Sequence, residues 1–284
     1  MKTYSICGIR FNLSFCYETF LTHNIERYET LCSDDIDATI ESKIVEWIEE
    51  PEGILIKPNN PWVKRDGVIE YVYAKDSNQS IRALFYHDLD YKKSTILINP
   101  SKCKDPAETE YVMMSMIFME VMIRKGFLSL HASAFSYHNQ AVLLSAPSQT
   151  GKSTLFRHVQ SIYPEAMIIN DDKPLIRKEK EMIYVYGTPF SGHQKLNHPI
   201  VVPMSALVFL KQGKQNVITP LEPDNILTEL IKNMYRPMDD AHWDTMLALL
   251  EDIIFHVPIY QMTATNSVEA AITLTSTLFE GEAA

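Results

Sequence analysis

Hydrophobic positions along the 284-residue chain change their spacing near residue 105. Before it they come in short β-type runs separated by polar turns. Residues 4–17 alternate loosely in β-formers, and 53–57 (Gly-Ile-Leu-Ile-Lys) and 94–98 (Ser-Thr-Ile-Leu-Ile) read as short strands. Residues 67–73 and 81–86 flank a polar 76–80 loop as a hairpin. A polar break over 100–106 leads into a helix over 107–125, ended by Gly126. Residues 127–135 then read as one strand, and 137–140 as a tight turn into a second, 141–145 (Ala-Val-Leu-Leu-Ser). Further along, 154–161 reads as a helix and 166–169, 182–186 and 205–210 as strands. After residue 222 the pattern turns helical over 225–233, 242–255 and 267–279, with a late strand at 257–262. The expected organisation is a β-rich N-terminal region, 1–105, followed by an α/β domain, 106–284, with a helical C-terminus.

Composition narrows the function classes. The chain is 46% hydrophobic and 22% charged, an ordinary globular balance with ample core material. Its net charge of −10 argues against non-specific nucleic-acid binding, which needs clustered Lys and Arg, but leaves a local mononucleotide site unaffected. The four cysteines, Cys7, Cys16, Cys32 and Cys103, form no C-x-x-C pair, and no signal-peptide pattern opens the chain. Reduced thiols in a cytoplasmic protein are expected. The most apolar stretch, 112–123, carries Glu120 and is too short to span a bilayer. Its methionines, Met113, Met114, Met116, Met119 and Met122, read as adaptable core.

The chemistry concentrates at residues 146–153, Ala-Pro-Ser-Gln-Thr-Gly-Lys-Ser, between an apolar strand and a helix. A tight turn into a helix N-terminus aims several backbone N–H groups at one spot, and the helix dipole adds positive potential there. The segment is therefore a candidate phosphate loop: Ser148, Gln149, Thr150, Gly151, Lys152, Ser153 and Thr154 would surround the phosphates, with Lys152 on them and the Ser153 hydroxyl on Mg²⁺. Ala146 and Gln149 stand where such loops often carry glycine. Asp171 and Asp172 follow at the end of a hydrophobic strand, where one carboxylate can hold a metal and the other can take a proton. His131 falls on the expected 127–135 strand, either as a core histidine or as a partner of these acids. Residues 187–195, Gly-Thr-Pro-Phe-Ser-Gly-His-Gln-Lys, form a shaped loop, either a plain turn or a place where Ser191, Gly192, His193 and Lys195 meet phosphate or acceptor.

Leu-His-Ala-Ser-Ala at 130–134, the Gly-Lys-Ser loop, Asn-Asp-Asp-Lys-Pro at 170–174 and Gly-Thr-Pro-Phe-Ser-Gly at 187–192 occur in that order. Over roughly residues 107–275 the chain thereby resembles the catalytic domain of HPr kinase/phosphorylase and its peptide-modifying relatives, similar in fold to ATP-dependent phosphoenolpyruvate carboxykinases. The resemblance implies a phosphate loop on a mixed, largely antiparallel sheet. It implies ATP and Mg²⁺ as cofactors and phosphoryl transfer to a serine hydroxyl of a small protein or ribosomally made peptide. By position it makes Lys152 the phosphate binder, Ser153 a metal ligand, Asp171 and Asp172 base and metal partner in an order left open, Asp172 being the candidate metal ligand, and His131 a support of the base. It also permits a homo-oligomer. No segment matches the part of the family that reverses the reaction. Two other readings remain open: an ATP-binding regulatory module without transfer activity, and a small-molecule kinase or carboxykinase-like enzyme. Residues 1–105 are the candidate acceptor-recognition region.

Overall fold

Burial on two faces or on one explains the two styles of hydrophobic pattern. A computed structural model of the chain describes residues 1–32, 34–59, 61–191 and 196–279. It divides the chain into two compact units, Met1–Met122 and Ile123–Ala284. The architecture is mixed α/β, with two large mixed sheets.

The first unit holds an eight-stranded sheet. Its strands are β1 (Lys2–Ile6), β2 (Ile9–Ser14), β3 (Ala38–Ile44), β4 (Ile54–Lys57), β5 (Trp62–Asp66), β6 (Ile69–Lys75), β7 (Ile81–Asp88) and β8 (Lys93–Ile98), with a short helix, α1 (Phe20–Ile25), between β2 and β3. The order is β1-β2-β3-β8-β7-β6-β5-β4. β2–β3 and β3–β8 are parallel, and the remaining pairs antiparallel. The expected hairpin is β6–β7, closed through Asp76, whose backbone N–H donates to Ser80 O (2.9 Å). The long helix α2 (Pro106–Arg124) is almost all buried from Met114 onward; Met114, Met119 and Met122 lie in the core, whereas Met113 and Met116 are half-buried. Gly126 follows it at φ +78, the left-handed conformation that ends helices.

The second unit is built on β9 (Leu128–Ser129), β10 (Ala132–Tyr137), β11 (Gln140–Ser145), β12 (Met167–Asn170), β13 (Leu175–Glu179), β14 (Met182–Tyr186), β15 (Val201–Gln212), β16 (Val217–Pro220) and β17 (Ile259–Ala264). Its helices are α3 (Lys152–Ile162), α4 (Pro223–Asn233), α5 (Trp243–His256) and α6 (Val268–Phe279). The long strand β15 is the hinge of the sheet. Its first residues pair with β14 antiparallel, and its remainder runs parallel to β11 on one side and β17 on the other. Leu155, Phe156 and Val159 of α3 and Ala270, Ala271 and Leu274 of α6 pack with Val142, Leu144 and Val208 on one face. Leu230 of α4 and Met246, Leu249, Leu250 and Ile253 of α5 pack with Leu143, Leu207 and Ile259 on the other. Covering both faces requires apolar side chains at successive positions, which is why β11 reads as a continuous hydrophobic run and not an alternating one.

One expectation is corrected. Residues 127–135 are not a single strand. β9 pairs with β13, whereas β10 pairs with β11 and β12, and the chain switches partners across Leu130 and His131. There the backbone N–H of His131 donates to Asn233 O (2.7 Å), outside either ladder. His131 therefore stands in a break between strands and not on one. Strands β3, β5, β13 and β16 and helix α1 also lie outside the sequence expectations; β16 and α1 are short, and β5 and β13 are rich in charged residues. None of the described helices is long and apolar enough to cross a membrane.

Candidate functional site

Sheet direction gathers the candidate residues at one end. β10 is antiparallel to both β11 and β12, so β11 and β12 run the same way and end together, at Ser145 and Asn170. β10 begins at that end, Ala132 lying opposite Ser145. The 146–151 loop, His131 and the two aspartates thus arise from three adjacent strands. Loops at the carboxyl ends of strands are where α/β sheets place ligands.

The loop turns sharply into α3. Gly151 is its N-cap at φ +105, where a side chain would be strained, and no side chain caps the helix or places an acid in its first turn. The first-turn N–H groups of a helix have no acceptor within it, so this end is open to an external anion. Gln149 is also left-handed, at φ +65, a conformation that favours glycine and explains glycine at this point in related loops. Ala146 is buried, and its carbonyl points to Lys152.

Lys152 is 7% exposed, although it is a lysine at a helix N-terminus. Its Nζ donates to Ala146 O (2.7 Å) and to His131 Nε2 (3.1 Å), with Pro147 O at 3.5 Å. His131 Nδ1 lies 2.9 Å from Asp172 Oδ1. An ammonium can only donate, so Nε2 accepts and the ring proton sits on Nδ1, donated to Asp172. The geometry therefore assigns a neutral imidazole joining Lys152 to Asp172. Lys173 Nζ stands 3.8 Å from the other oxygen of that carboxylate.

Burial dominates the Lys152 ammonium and lowers its pKa below the usual lysine value; the charges of Asp172 and Asp171 offset part of that effect. At Asp172 burial is again the largest single influence and opposes ionisation. The His131 hydrogen bond and the charges of Lys173, His131 and Lys152 together outweigh it and lower the pKa.

The sequence pattern gave no role to Asn170, and the structure makes it the organiser of the acidic turn. Asn170 is fully buried. Its Oδ1 accepts from the backbone N–H groups of Asp172 (2.9 Å) and Lys173 (2.7 Å). Its Nδ2 donates to Thr188 O (3.0 Å), Thr188 Oγ1 (3.1 Å) and Phe190 O (3.3 Å). One amide thereby fixes the backbone at Asp172 and Lys173 and ties it to the 187–191 loop. The signal lay in an Asx residue two and three positions before those N–H groups. Asp171 is 7% exposed.

Ser148 and Gln149 are exposed and Thr150, Ser153 and Thr154 half-buried, so the loop faces solvent while its lysine turns inward. Ser191 is buried, its hydroxyl accepting from Asn197 Nδ2 (3.3 Å). Gly192, His193 and Lys195 lie outside the described residues. Among the described residues no group of three or more His, Cys, Asp or Glu forms a metal cage. The donors near the loop are instead the carboxylates of Asp171 and Asp172 and the Ser153 hydroxyl, oxygen ligands of the kind Mg²⁺ takes alongside substrate phosphates.

No protein-family model matches the chain, and no curated protein matches its sequence. Among solved structures it is similar to the Hpr(Ser) kinase/phosphatase from Coxiella burnetii, at 15% identity, over 55% of this chain and 95% of that one, with a TM-score of 0.31. A likeness at that score carries no weight for the site, whose chemistry has to be read from its own residues.

Proposed function

We propose that the second unit is an ATP- and Mg²⁺-dependent kinase that phosphorylates a serine hydroxyl of a small protein or peptide. The observation that carries this reading is the line Lys152–His131–Asp172, with links of 3.1 and 2.9 Å and its lysine buried, at the uncapped N-terminus of α3. A structural lysine has little reason to be buried beside an open anion site and two acids, whereas a phosphate-binding lysine does.

In this reading the loop N–H groups and Lys152 hold the β- and γ-phosphates, and their fixed positive potential stabilises charge on the transferring group. Lys152 leaves Ala146 O and His131 for the phosphates. Ser153 and Asp172 would hold Mg²⁺, which supplies charge neutralisation on the phosphate oxygens. The His131 hydrogen bond and the nearby lysines keep Asp172 ionised, which suits it to the metal. The acceptor proton therefore goes to Asp171, the serine oxygen forms its bond to the γ-phosphorus, and the β–γ bridging oxygen leaves with the electron pair as ADP. His131 keeps Asp172 oriented and ionised.

The test is phosphate transfer from labelled ATP with Mg²⁺ to serine-bearing peptides. Lys152→Met is expected to abolish nucleotide binding. Asp171→Asn is expected to leave binding intact and cut transfer by about 10²–10⁴-fold, the usual weight of a general base. Unchanged binding in Lys152→Met would refute the reading. Binding with no transfer in the wild type, insensitive to either aspartate, would make the unit an ATP-binding module instead.

A further inference from the structure

The proposed reaction leaves one buried group at the site without a task. Ser133 lies on β10, and the strand pairing fixes what it faces. In the β10–β12 ladder Ala134 lies opposite Asn170. Two residues earlier the backbone N–H of Ala132 donates to Asp172 O (3.2 Å). Between these two pairs, Ser133 stands directly across from Asp171, the base of the proposed transfer. An antiparallel ladder alternates hydrogen-bonded pairs with pairs that share no backbone bond, and the second kind bring their side chains closer, with Cα atoms about 4.5 Å apart. The Ala132–Asp172 bond makes Ser133 and Asp171 a pair of that second kind.

Alternation along β10 gives the face. Ala132 and Ala134 belong to the core beneath α4 and α5, whereas Phe135 packs beneath α3 and α6. Successive strand residues point to opposite faces, so Ser133 points to the α3 side. Leu144, its neighbour on β11, packs on that same side, one residue before the end of the strand that leads into the phosphate loop. Ser133 is fully buried, and its Oγ has no hydrogen-bond partner. Among the described residues of the second unit no other buried hydroxyl is left unpaired. An unpaired buried hydroxyl is unfavourable, and alanine, which occupies both neighbouring positions, would fill this one without that penalty. A serine hydroxyl turns between staggered rotamers without backbone movement, and a side chain directly opposite in a close pair is within its reach.

We infer that Ser133 is a positioning residue for phosphoryl transfer: once nucleotide is bound, its hydroxyl turns to donate to one oxygen of Asp171 and holds the other toward the acceptor serine. In the ligand-free chain the charges of Lys152 and Asp171 act on each other. When Lys152 moves onto the phosphates it turns to a new anion, and Ser133 supplies a donor anchored in the sheet. Its hydroxyl keeps its own proton throughout, and the acceptor proton still goes to Asp171. The inference rests on the proposed kinase reading, which makes Asp171 the base, and adds to it the residue that aims that base.

Substitutions at this one position separate positioning from a structural role. Ser133→Ala is expected to lower kcat about 10²-fold, the cost of about 1 Å of misplacement at a reacting group. The calorimetric Kd for Mg²⁺-ATP should stay within about twofold, because the lost contact serves transfer and not binding. Without ligand the variant should melt no lower than wild type, since the hydroxyl removed was unpaired. Ser133→Thr keeps the hydroxyl and should transfer faster than Ser133→Val, which has the same shape without it. In an Asp171→Asn background Ser133→Ala should cost nothing further, because the two residues act as a unit. Wild-type kcat in Ser133→Ala, nucleotide affinity lost in step with kcat, a multiplicative loss in the double variant, equally slow folded Thr and Val variants, or a lowered ligand-free melting temperature would each overturn the role and leave the kinase reading standing. A wild type that transfers no phosphate, or transfer indifferent to Asp171→Asn, would instead overturn that reading, and the role of Ser133 with it.

Discussion

Lys152 carries the strongest conflict between stability and function. Its ammonium is buried against a carbonyl and a neutral imidazole, and burial lowers its pKa despite two nearby acids. Lys152→Met is therefore expected to stabilise the ligand-free protein by about 1 kcal/mol, or about 2–4 °C, while polyphosphate binding is lost. Thermal melting with and without Mg²⁺-ATP checks both halves. Asp172 acts in the opposite sense. Its folded pKa lies below the unfolded value, so its stabilising contribution is present at neutral pH and disappears as pH falls through the folded value. Asp172→Asn should accordingly flatten the acid limb of a stability–pH curve below about pH 4, near the unfolded carboxylate pKa, relative to wild type. A parallel acid limb in the variant would show that the His131 and lysine contacts do not hold this carboxylate ionised. The lysine and both aspartates were legible in sequence because loop chemistry and strand-end acids have local signatures. Asn170 was not, since its role depends on Thr188 and Phe190, brought beside it only by the fold.

At the scale of elements, the turn after β12 is set by side-chain hydrogen bonds and not by a ladder. Asn170 satisfies two part-buried backbone donors with one oxygen and reaches three acceptors in the interior with its nitrogen. Asn170→Ala leaves those groups unpaired and is expected to cost about 2–3 kcal/mol. Transfer should fall more steeply than nucleotide affinity, because the acids lose their position while the loop is built independently. Comparing kcat with the nucleotide Kd in that variant tests the separation. Most strong elements followed from period and punctuation: α2 with its closing glycine, β6–β7 with its Asp76 turn, and β11 into α3. The broken strand at 128–137 did not. Nothing in Leu-Ser-Leu-His-Ala-Ser-Ala marks the residue at which the chain leaves β13 for β11 and β12. That break is what frees the His131 ring to lie between a lysine and an aspartate.

For the whole molecule, the two units make different demands on their hydrophobic residues. In Ile123–Ala284 the central strand β11 is covered on both faces, and Leu143 sits fully buried opposite α4 and α5. Leu143→Ala is expected to cost about 2–5 kcal/mol. Nucleotide at about a hundred times its Kd should return about 2.7 kcal/mol by mass action. The calorimetric transition that Leu143→Ala lowers should be the one that Mg²⁺-ATP raises. A nucleotide effect confined to a different transition would place the binding site outside this unit. In Met1–Met122 the charged strand β5 and the exposed edge strand β4 carry weaker periodicity, and their sheet order was correspondingly hidden.

By itself the sequence determined the local chemistry: a strand, a tight turn and a helix start at 141–154, an acid pair closing a strand, and long helices with recognisable ends. These depend on interactions between residues a few positions apart. The tertiary structure alone decided that β12 ends beside β11 with β10 reversed between them, and that His131 falls in the gap. Each depends on which distant strands pair and in which direction, and similar hydrophobic runs are compatible with many such pairings.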